Sequence, residues 1–335
     1  MKILTVDDIR HLINTLGLSC FFQRVLDAME LDFFHWNEFN LSPRHATHYP
    51  HGVIELMPCS DKSLYSFKYV NGHPGNPKKG QLNVVALGLL SEVSSGYPLM
   101  ITEMTLLTAL RTAVTGVLAA KYLARADAKT LAIIGTGAQA EFQVMCFASF
   151  FSLDKIRFYD CDKLAMKKFE ENLAAESFKL IACQNIHETI RSADIIVTAT
   201  AAKKKQCLFK LEDIASGTHI HAMGGDCPGK TELDVSLLEQ SKIVVEYAPQ
   251  SLAEGESQQC PKNGIYAELW ELICKNKTGR LNAEEITIFD SVGFALEDFS
   301  ILRVVYALAE EHQLGTELAL IPKLNDPKNL YSLIN

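Results

Sequence analysis

Residues 131–143 read LAIIGTGAQAEFQ. An apolar run ends at Ile134, the turn Gly135-Thr136-Gly137-Ala138-Gln139-Ala140 follows, and a helical pattern begins. This is the G-x-G-x-x-A form of a dinucleotide-binding turn. Gly135 permits the tight bend, Gly137 lets a pyrophosphate come against backbone, and Ala140 lets helix pack closely on strand. The anion would meet the free N–H groups and dipole of the helix N-terminus, next to Ala138 and Gln139. Alone, a glycine pattern is weak. Here a second strand, KIRFYD, ends in Asp160, twenty residues beyond Ala140. A carboxylate at that place accepts from both ribose hydroxyls and repels a 2′-phosphate. Asp162 adds negative charge and no Arg follows at once, so the pattern favours NAD over NADP.

Outward from this segment, strands and helices alternate. KTLAII, KIRFYD, FKLIACQ, DIIVTAT, THIHAMG, KIVVEY and ITIFDSV read as strands, with helices at AQAEFQVMCFASFF and KLAMKKFEENLAAE and short helical links elsewhere. That alternation predicts a doubly wound parallel sheet covered on both faces, a Rossmann unit. Thr198 and Thr200 end one strand at the edge where such sheets bind ligands. The first hundred residues differ. MKILTVDDIRHLINTLG passes from strand to helix after Val6, VLDAMELDFF continues as helix, and two hairpins turn at Asp61-Lys62 and at Ser94-Ser95-Gly96. A long Ala/Leu/Thr-rich helix is expected from Glu103 to Ala126, and a long amphipathic helix in FALEDFSILRVVYALAEEHQ. The fold class is therefore α/β, with a second, smaller α+β unit. Residues 1–111 and 298–335 are expected to form the second unit, and residues 112–297 the Rossmann unit.

The chain has 335 residues, is 48% hydrophobic and carries a net charge of −8, which gives no support to a nucleic-acid role. No apolar run reaches the ~18 residues of a membrane span. The N-terminus reads as the start of the folded protein and not as a targeting peptide. Nine cysteines with no C-x-x-C pair read as reduced thiols, and the expected location is the cytoplasm. His45, His48 and His51 recur every third residue between Pro43 and Pro50-His51, but as solvated or locally bonded side chains rather than metal ligands. No metal site is expected.

Residues 221–230 read HAMGGDCPGK. A strand runs into Met223, Gly224 and Gly225, then Asp226, with Pro228 fixing the turn. Asp226 either bonds its own turn backbone or serves a ligand that the glycines let come close. Three cations stand out upstream: Arg44 in SPRHATHY, Lys68 in YSFKYVNGHPG and Arg111 in LTALRTAV. Lys68 lies in an apolar strand, where an ammonium is costly unless paired. Each cation is either a structural ion-pair partner or part of an anion site, and Arg suits a carboxylate through two parallel bonds.

SFKYVNGHPGN, SGYPLMITEMTLLTALRTAVTG, AIIGTGAQA, HIHAMGGDCPGKTEL and ITIFDSVGFALEDFS together resemble the signature blocks of the ornithine cyclodeaminase/mu-crystallin family, from about Arg44 to Leu330. The likeness is strongest to its bacterial proline-forming ornithine cyclodeaminases. The resemblance implies a homodimer formed through the sheet of the substrate domain, and conversion of L-ornithine to L-proline and ammonia by hydride transfer to and from bound NAD. It implies Arg44, Lys68 and Arg111 as the substrate carboxylate site, with Glu55 and Val292 lining the pocket, and Asp226 as the catalytic acid–base. It implies cofactor contacts from Gln139, Asp160, Thr200, Lys230 and Ser291, with Arg111 and the 223–225 backbone alongside. Asn83 stands where a close relative has a small hydroxyl residue, and its amide can bond the cofactor carboxamide. Two other readings remain open: an NAD-linked imine reductase or amino-acid dehydrogenase, and a non-catalytic crystallin-like binding protein.

Overall fold

In the computed structural model, which describes residues 1–202, 204–260 and 264–335, the chain builds two sheets. The first begins with β1 (Lys2–Leu4), followed by α1 (Val6–Leu16) and α2 (Leu18–Phe34). Thr5 caps α1 reciprocally with Asp8, which satisfies two otherwise orphaned donors. Then come β2 (His45–Tyr49), β3 (Gly52–Ser60), β4 (Leu64–Gly72), β5 (Ala86–Glu92) and β6 (Pro98–Glu103), antiparallel in series. The long helix α3 (Thr105–Leu123) leads out of this sheet.

The second sheet takes β7 (Thr130–Ile134), α4 (Ala140–Phe150), β8 (Lys155–Tyr159), α5 (Lys163–Asn172), β9 (Lys179–Ala182), α6 (Ile186–Ile190) and β10 (Ile195–Thr198). It continues with β11 (His219–Ala222), α7 (Val235–Glu239), β12 (Lys242–Val245), α8 (Ala248–Ser251), β13 (Ile265–Glu268), α9 (Leu269–Ile273) and β14 (Thr287–Asp290). Finally α10 (Ala295–Glu311) and the short β15 (Thr316–Glu317) return to the first sheet.

The second sheet has the order β13-β12-β14-β11-β10-β7-β8-β9 and is parallel throughout. β10, β11 and β14 are buried along their whole length, as strands covered on both faces must be. The chain winds outward from β7 to β9, then reverses to β10 on β7's other side. The resulting switch point opens a crevice at the carboxyl ends of β7 and β10. The loops after β11, β12 and β14 end at the same edge.

In the first sheet, strict alternation sorts side chains. Glu55, Met57 and Cys59 stand opposite Val70, Lys68 and Ser66 on a buried face covered by α10. Leu56 and Leu87 flank Tyr69 on the other face, where both are exposed. The two sheets meet through α3, which packs on β5 at one level and on β11 and β14 at another. Among the described residues α3 alone has the length and apolarity of a membrane span, but 83% of its most apolar window is buried inside the protein. The expectation that no run reaches that length is corrected to this extent: α3 is a core helix of that size.

The strands read from the sequence are present, although 81–85 precedes β5 as a connection and α3 stops at Leu123. Three short edge strands, β2, β13 and β15, were not expected. His45 and His48 lie exposed on β2.

Candidate active site

The turn after β7 has the shape its sequence demands. Gly135 has φ +97°, and a Cβ there would stand 2.5 Å from the carbonyl oxygen of Ala199, so no other residue fits. Its amide donates to the Tyr159 carbonyl at 2.9 Å, tying the turn to β8. A Cβ on Gly137 would meet nothing within 4 Å: the second glycine faces open space. The amides of Gly137, Ala138 and Gln139 find no acceptor among the described residues, and Gln139 Oε1 is buried and unpaired. Unsatisfied donors at a helix N-terminus beside open space fit a pyrophosphate. Asp160, at the end of β8, accepts from the Thr136 amide at 2.7 Å and from the Asp162 amide at 2.9 Å. It therefore fixes the turn while standing where a ribose would lie. Asn83 Oδ1 is also buried without a partner, which suits a carboxamide donor.

Other expected contacts are already occupied. The hydroxyl and amide of Thr200 donate to the buried carboxylate of Glu232, and Gln206 Nε2 donates to the Thr200 hydroxyl at 2.7 Å. Ser291 Oγ donates to Glu246 at 2.7 Å. Met223 is half-buried and its amide donates to the Thr198 carbonyl. Close approach of a ligand is not what excludes side chains at Gly224 and Gly225. A Cβ on Gly224 would fall 2.0 Å from Glu232 Oε2, and one on Gly225 would fall 2.7 Å from Glu256 Oε1. Two buried carboxylates, themselves bonded to neighbouring loops, shape this turn.

The cations gather around the loop after β14 and the start of α10. Arg44 precedes β2, Lys68 lies on β4, Glu55 on β3 and Arg111 on α3. Arg44 Nη1 donates to Glu55 at 3.1 Å, and Nη2 donates to the carbonyls of Val292 at 2.5 Å and Gly293 at 2.7 Å. Lys68 Nζ donates to Asp298 at 2.9 Å, and Arg111 pairs with Glu297 and with Asp298. Each cation thus has a protein acid as partner, as the structural reading of the sequence allowed. The three also lie within one field. Burial, then the nearby Arg111 guanidinium, lowers the Lys68 pKa to about 8, with Asp298 pulling the other way and Arg44 adding to the drop. Burial also opposes the charges of Arg44 and Arg111, but Glu55 with Glu254, and Asp298 with Glu297, more than offset it.

Asp226 reaches the same field, because its charge acts on Arg44. Among the described residues its carboxylate takes no hydrogen bond from its own turn backbone. Its Oδ1 accepts from Lys230 Nζ at 3.0 Å, across a pair whose lysine is 6% exposed and whose aspartate is 56% exposed. The carboxylate at the tip of this loop is therefore open to solvent.

Five residues that the sequence left unread complete the site. Glu297 and Asp298 open α10 inside its first turn, where the dipole favours anions. Glu246 accepts from Ser291 Oγ and from the Val292 and Gly293 amides, and burial raises its pKa. Gln250 Oε1 accepts from the Arg44 amide at 3.1 Å, and its Nε2 donates to the Gly293 carbonyl at 2.8 Å. Glu254 Oε2 lies 3.4 Å from Arg44 Nε. The available signal was two acids opening an otherwise apolar helix in FALEDFS, and two acids flanking one glycine in AEGES.

The model of the ornithine cyclodeaminase/mu-crystallin family matches residues 7–313. A protein named ornithine cyclodeaminase from Agrobacterium tumefaciens (strain Ach5) is 46% identical over 331 residues, covering 99% of this chain and 93% of that protein. Two solved structures superpose closely. An archaeal alanine dehydrogenase dimer with bound NAD gives a TM-score of 0.88 at 33% identity, over 96% of this chain and 99% of that one. A lysine cyclodeaminase, described for its recognition of L-lysine, L-ornithine and L-2,4-diaminobutyric acid, gives 0.93 at 27% identity, over 99% of both chains. The chain belongs to the ornithine cyclodeaminase/mu-crystallin family.

Proposed function

We propose that this protein is an ornithine cyclodeaminase, converting L-ornithine to L-proline and ammonia with NAD as a recycled cofactor. The observation that carries the reading is the gathering of Arg44, Lys68 and Arg111 around Glu55, Glu297 and Asp298 beside the loop after β14, with the charge of Asp226 acting on Arg44. The full-length likeness to ornithine cyclodeaminases supports it. NAD would be held by the turn at Gly135, Gly137, Ala138 and Gln139, by Asp160 at the ribose, by Thr200, Met223, Gly224, Gly225, Lys230 and Ser291 along the edge, and by Asn83 and Arg111 at the nicotinamide end. Bound NAD supplies a reversible hydride acceptor for the substrate Cα, so ornithine loses ammonia and closes to proline with no net oxidation.

The chain's own groups do the rest. The three cations hold the substrate carboxylate, with Glu55 and Val292 beside it. More acids than cations line this crevice, which would repel a carboxylate if all were ionised. Burial raises the pKa of Glu246 and lifts that of Glu297 to about 8, so at neutral pH a proton on Glu297 neutralises part of that negative charge and the cations stay available.

Ring closure needs a neutral δ-amine. Freeing one with a reference pKa of ~10.4 at pH 7 costs about 4–5 kcal/mol in water. Asp226 is the base that takes this proton. A solvated carboxylate is too weak by several units, so substrate has to cover the loop and displace the water around Asp226. Holding the amine against its own Cα makes the attack intramolecular and correspondingly fast.

The unit formed by residues 1–111 and 298–335 binds substrate and pairs two copies, and residues 112–297 hold the cofactor. In support, the first sheet draws its strands from residues 2–103 and 316–317, and the second from 130–290. A homodimer fits the exposed apolar face of the first sheet, and reduced thiols fit the cytoplasm.

The test follows proline and ammonia from L-ornithine with NAD well below substrate concentration. Stoichiometric proline without accumulating NADH is the expected result. The likeness to an alanine dehydrogenase keeps a second reading in view: NADH rising one-for-one with substrate consumed would establish a dehydrogenase instead.

A further inference from the structure

We infer that Glu254 is a substrate-binding residue whose carboxylate receives the δ-ammonium of the diamino acid, opposite Asp226. The inference rests on the cyclodeaminase reading and names which group of the substrate this acid recognises.

Glu254 is 6% exposed and takes no hydrogen bond at Oε2. Among the described residues its one neighbour of opposite charge, Arg44, offers only Nε at 3.4 Å, a nitrogen itself buried and without a hydrogen bond. Glu55 and two carbonyls take up the rest of the guanidinium. A buried carboxylate oxygen without a hydrogen-bond donor is costly, and a ligand ammonium brings three donors. The substrate carboxylate cannot be that ligand, because like charges repel.

The position is also rigid. The Glu254 amide donates to the Gln250 carbonyl at 3.0 Å, while Gln250 bridges Arg44 and Gly293. Gly255 follows with φ +72°, so close to Asp290 that a Cβ would stand 2.7 Å from Oδ1. Asp290 then accepts from the Glu256 and Ser257 amides, both at 2.8 Å. A carboxylate held this firmly beside Arg44, with Glu55 and Asp226 as the other charged groups acting on it, is preorganised for a cation. Burial, opposed by Arg44 and reinforced by Glu55 and Asp226, raises its pKa to about 7. Below pH 7 it is therefore mostly protonated and loses its attraction for an ammonium.

The test measures binding by calorimetry to the NADH-loaded protein, where ornithine cannot turn over. Ornithine is compared with L-norvaline, which keeps the carboxylate and α-ammonium but lacks the δ-amine. Glu254→Gln should weaken ornithine binding roughly tenfold at pH 8 and leave norvaline within about twofold, as loss of a charge-assisted contact to one group requires. Wild-type ornithine affinity should fall as pH drops through 7, a dependence that Glu254→Gln removes and Glu254→Asp retains. Equal weakening of both ligands would assign Glu254 to the α-ammonium and overturn the inference, as would a variant that binds ornithine like wild type. Should Glu254→Gln melt early, Glu254→Asp carries the comparison alone, and an ornithine-to-norvaline ratio unchanged from wild type then counts against the inference. Failure of the cyclodeaminase reading looks different: wild type would then form no proline from ornithine.

Discussion

Asp226 is held by Lys230 in solvent, yet its loop is anchored from behind by Gly224 against Glu232 and Gly225 against Glu256. The loop is stiff and the carboxylate at its tip is accessible, a combination that suits a base waiting for its substrate. Asp226→Asn keeps the shape and removes the proton acceptor. Proline formation should fall by about 10²–10⁴-fold, the usual contribution of general base catalysis, while NAD affinity by fluorescence titration stays near wild type. Proline made at the wild-type rate would refute the role. Lys68→Met makes a parallel test of the clamp. It deletes a buried cation and leaves Asp298 with Arg111 alone, so the KM for ornithine should rise about tenfold or more with a smaller change in kcat. These residues were legible because each broke a local pattern: a lysine inside an apolar strand, an aspartate between glycines and a proline. Their acid partners were not, because Lys68 meets Asp298 across 230 positions, a pairing that only the fold creates.

At the scale of elements, the β7–turn–α4 unit was fully legible, since Gly135 answers a backbone constraint that sequence spacing encodes and Gly137 leaves open space at the helix N-terminus. Gly135→Ala puts a Cβ 2.5 Å from a carbonyl oxygen at φ +97°. It should cost about 1–3 kcal/mol and abolish dinucleotide binding, read by thermal melting with and without NAD. Three edge strands were illegible for the opposite reason: β13 and β15 are too short to show alternation, and β2 is exposed along most of its length. β11 carries a different signature. His219 and His221 are fully buried, and burial lowers the pKa of His221 to about 3. The unfolded chain takes up a proton on this residue below about pH 6.5 and the folded protein does not, so stability falls with pH from there to about 3. Buried acids with raised pKa, such as Glu256 at about 8 and Asp290 at about 6, act in the opposite sense until they are protonated in both states. Carboxylates held below their ordinary values, such as Glu92 and Asp234, also steepen the acid limb, so the histidine contribution is read as the difference between wild type and variant from about pH 6.5 to 3. Replacing His221 with Leu should flatten the acid limb there by up to about 1.4 kcal/mol per pH unit, measured by denaturant unfolding at successive pH values.

For the whole molecule, alternation in the first sheet has a consequence on each face. The inner face, packed against α10, carries Glu55 and Lys68. The outer face leaves Leu56, Tyr65 and Leu87 at 44%, 41% and 51% exposure around the half-buried Phe67, Tyr69 and Leu89. An apolar sheet face of this kind, with α10 of the described residues packed on the opposite face, is the surface expected of an obligate interface. A two-fold pairing would bring each patch against its own copy, which any self-complementary flat sheet permits. Leu87 tests this without disturbing the subunit. It stands opposite Glu103 on β6, so Leu87→Lys gains a cross-strand partner of opposite charge within one chain while placing a cation in the middle of the contact between two. Sedimentation of the wild type should give about twice the 37.2 kDa chain mass, and the variant should sediment as a monomer with an unchanged melting profile of its second sheet. A variant that remains dimeric would move the interface elsewhere, and a wild type that sediments as one chain would leave the apolar face unexplained by self-association.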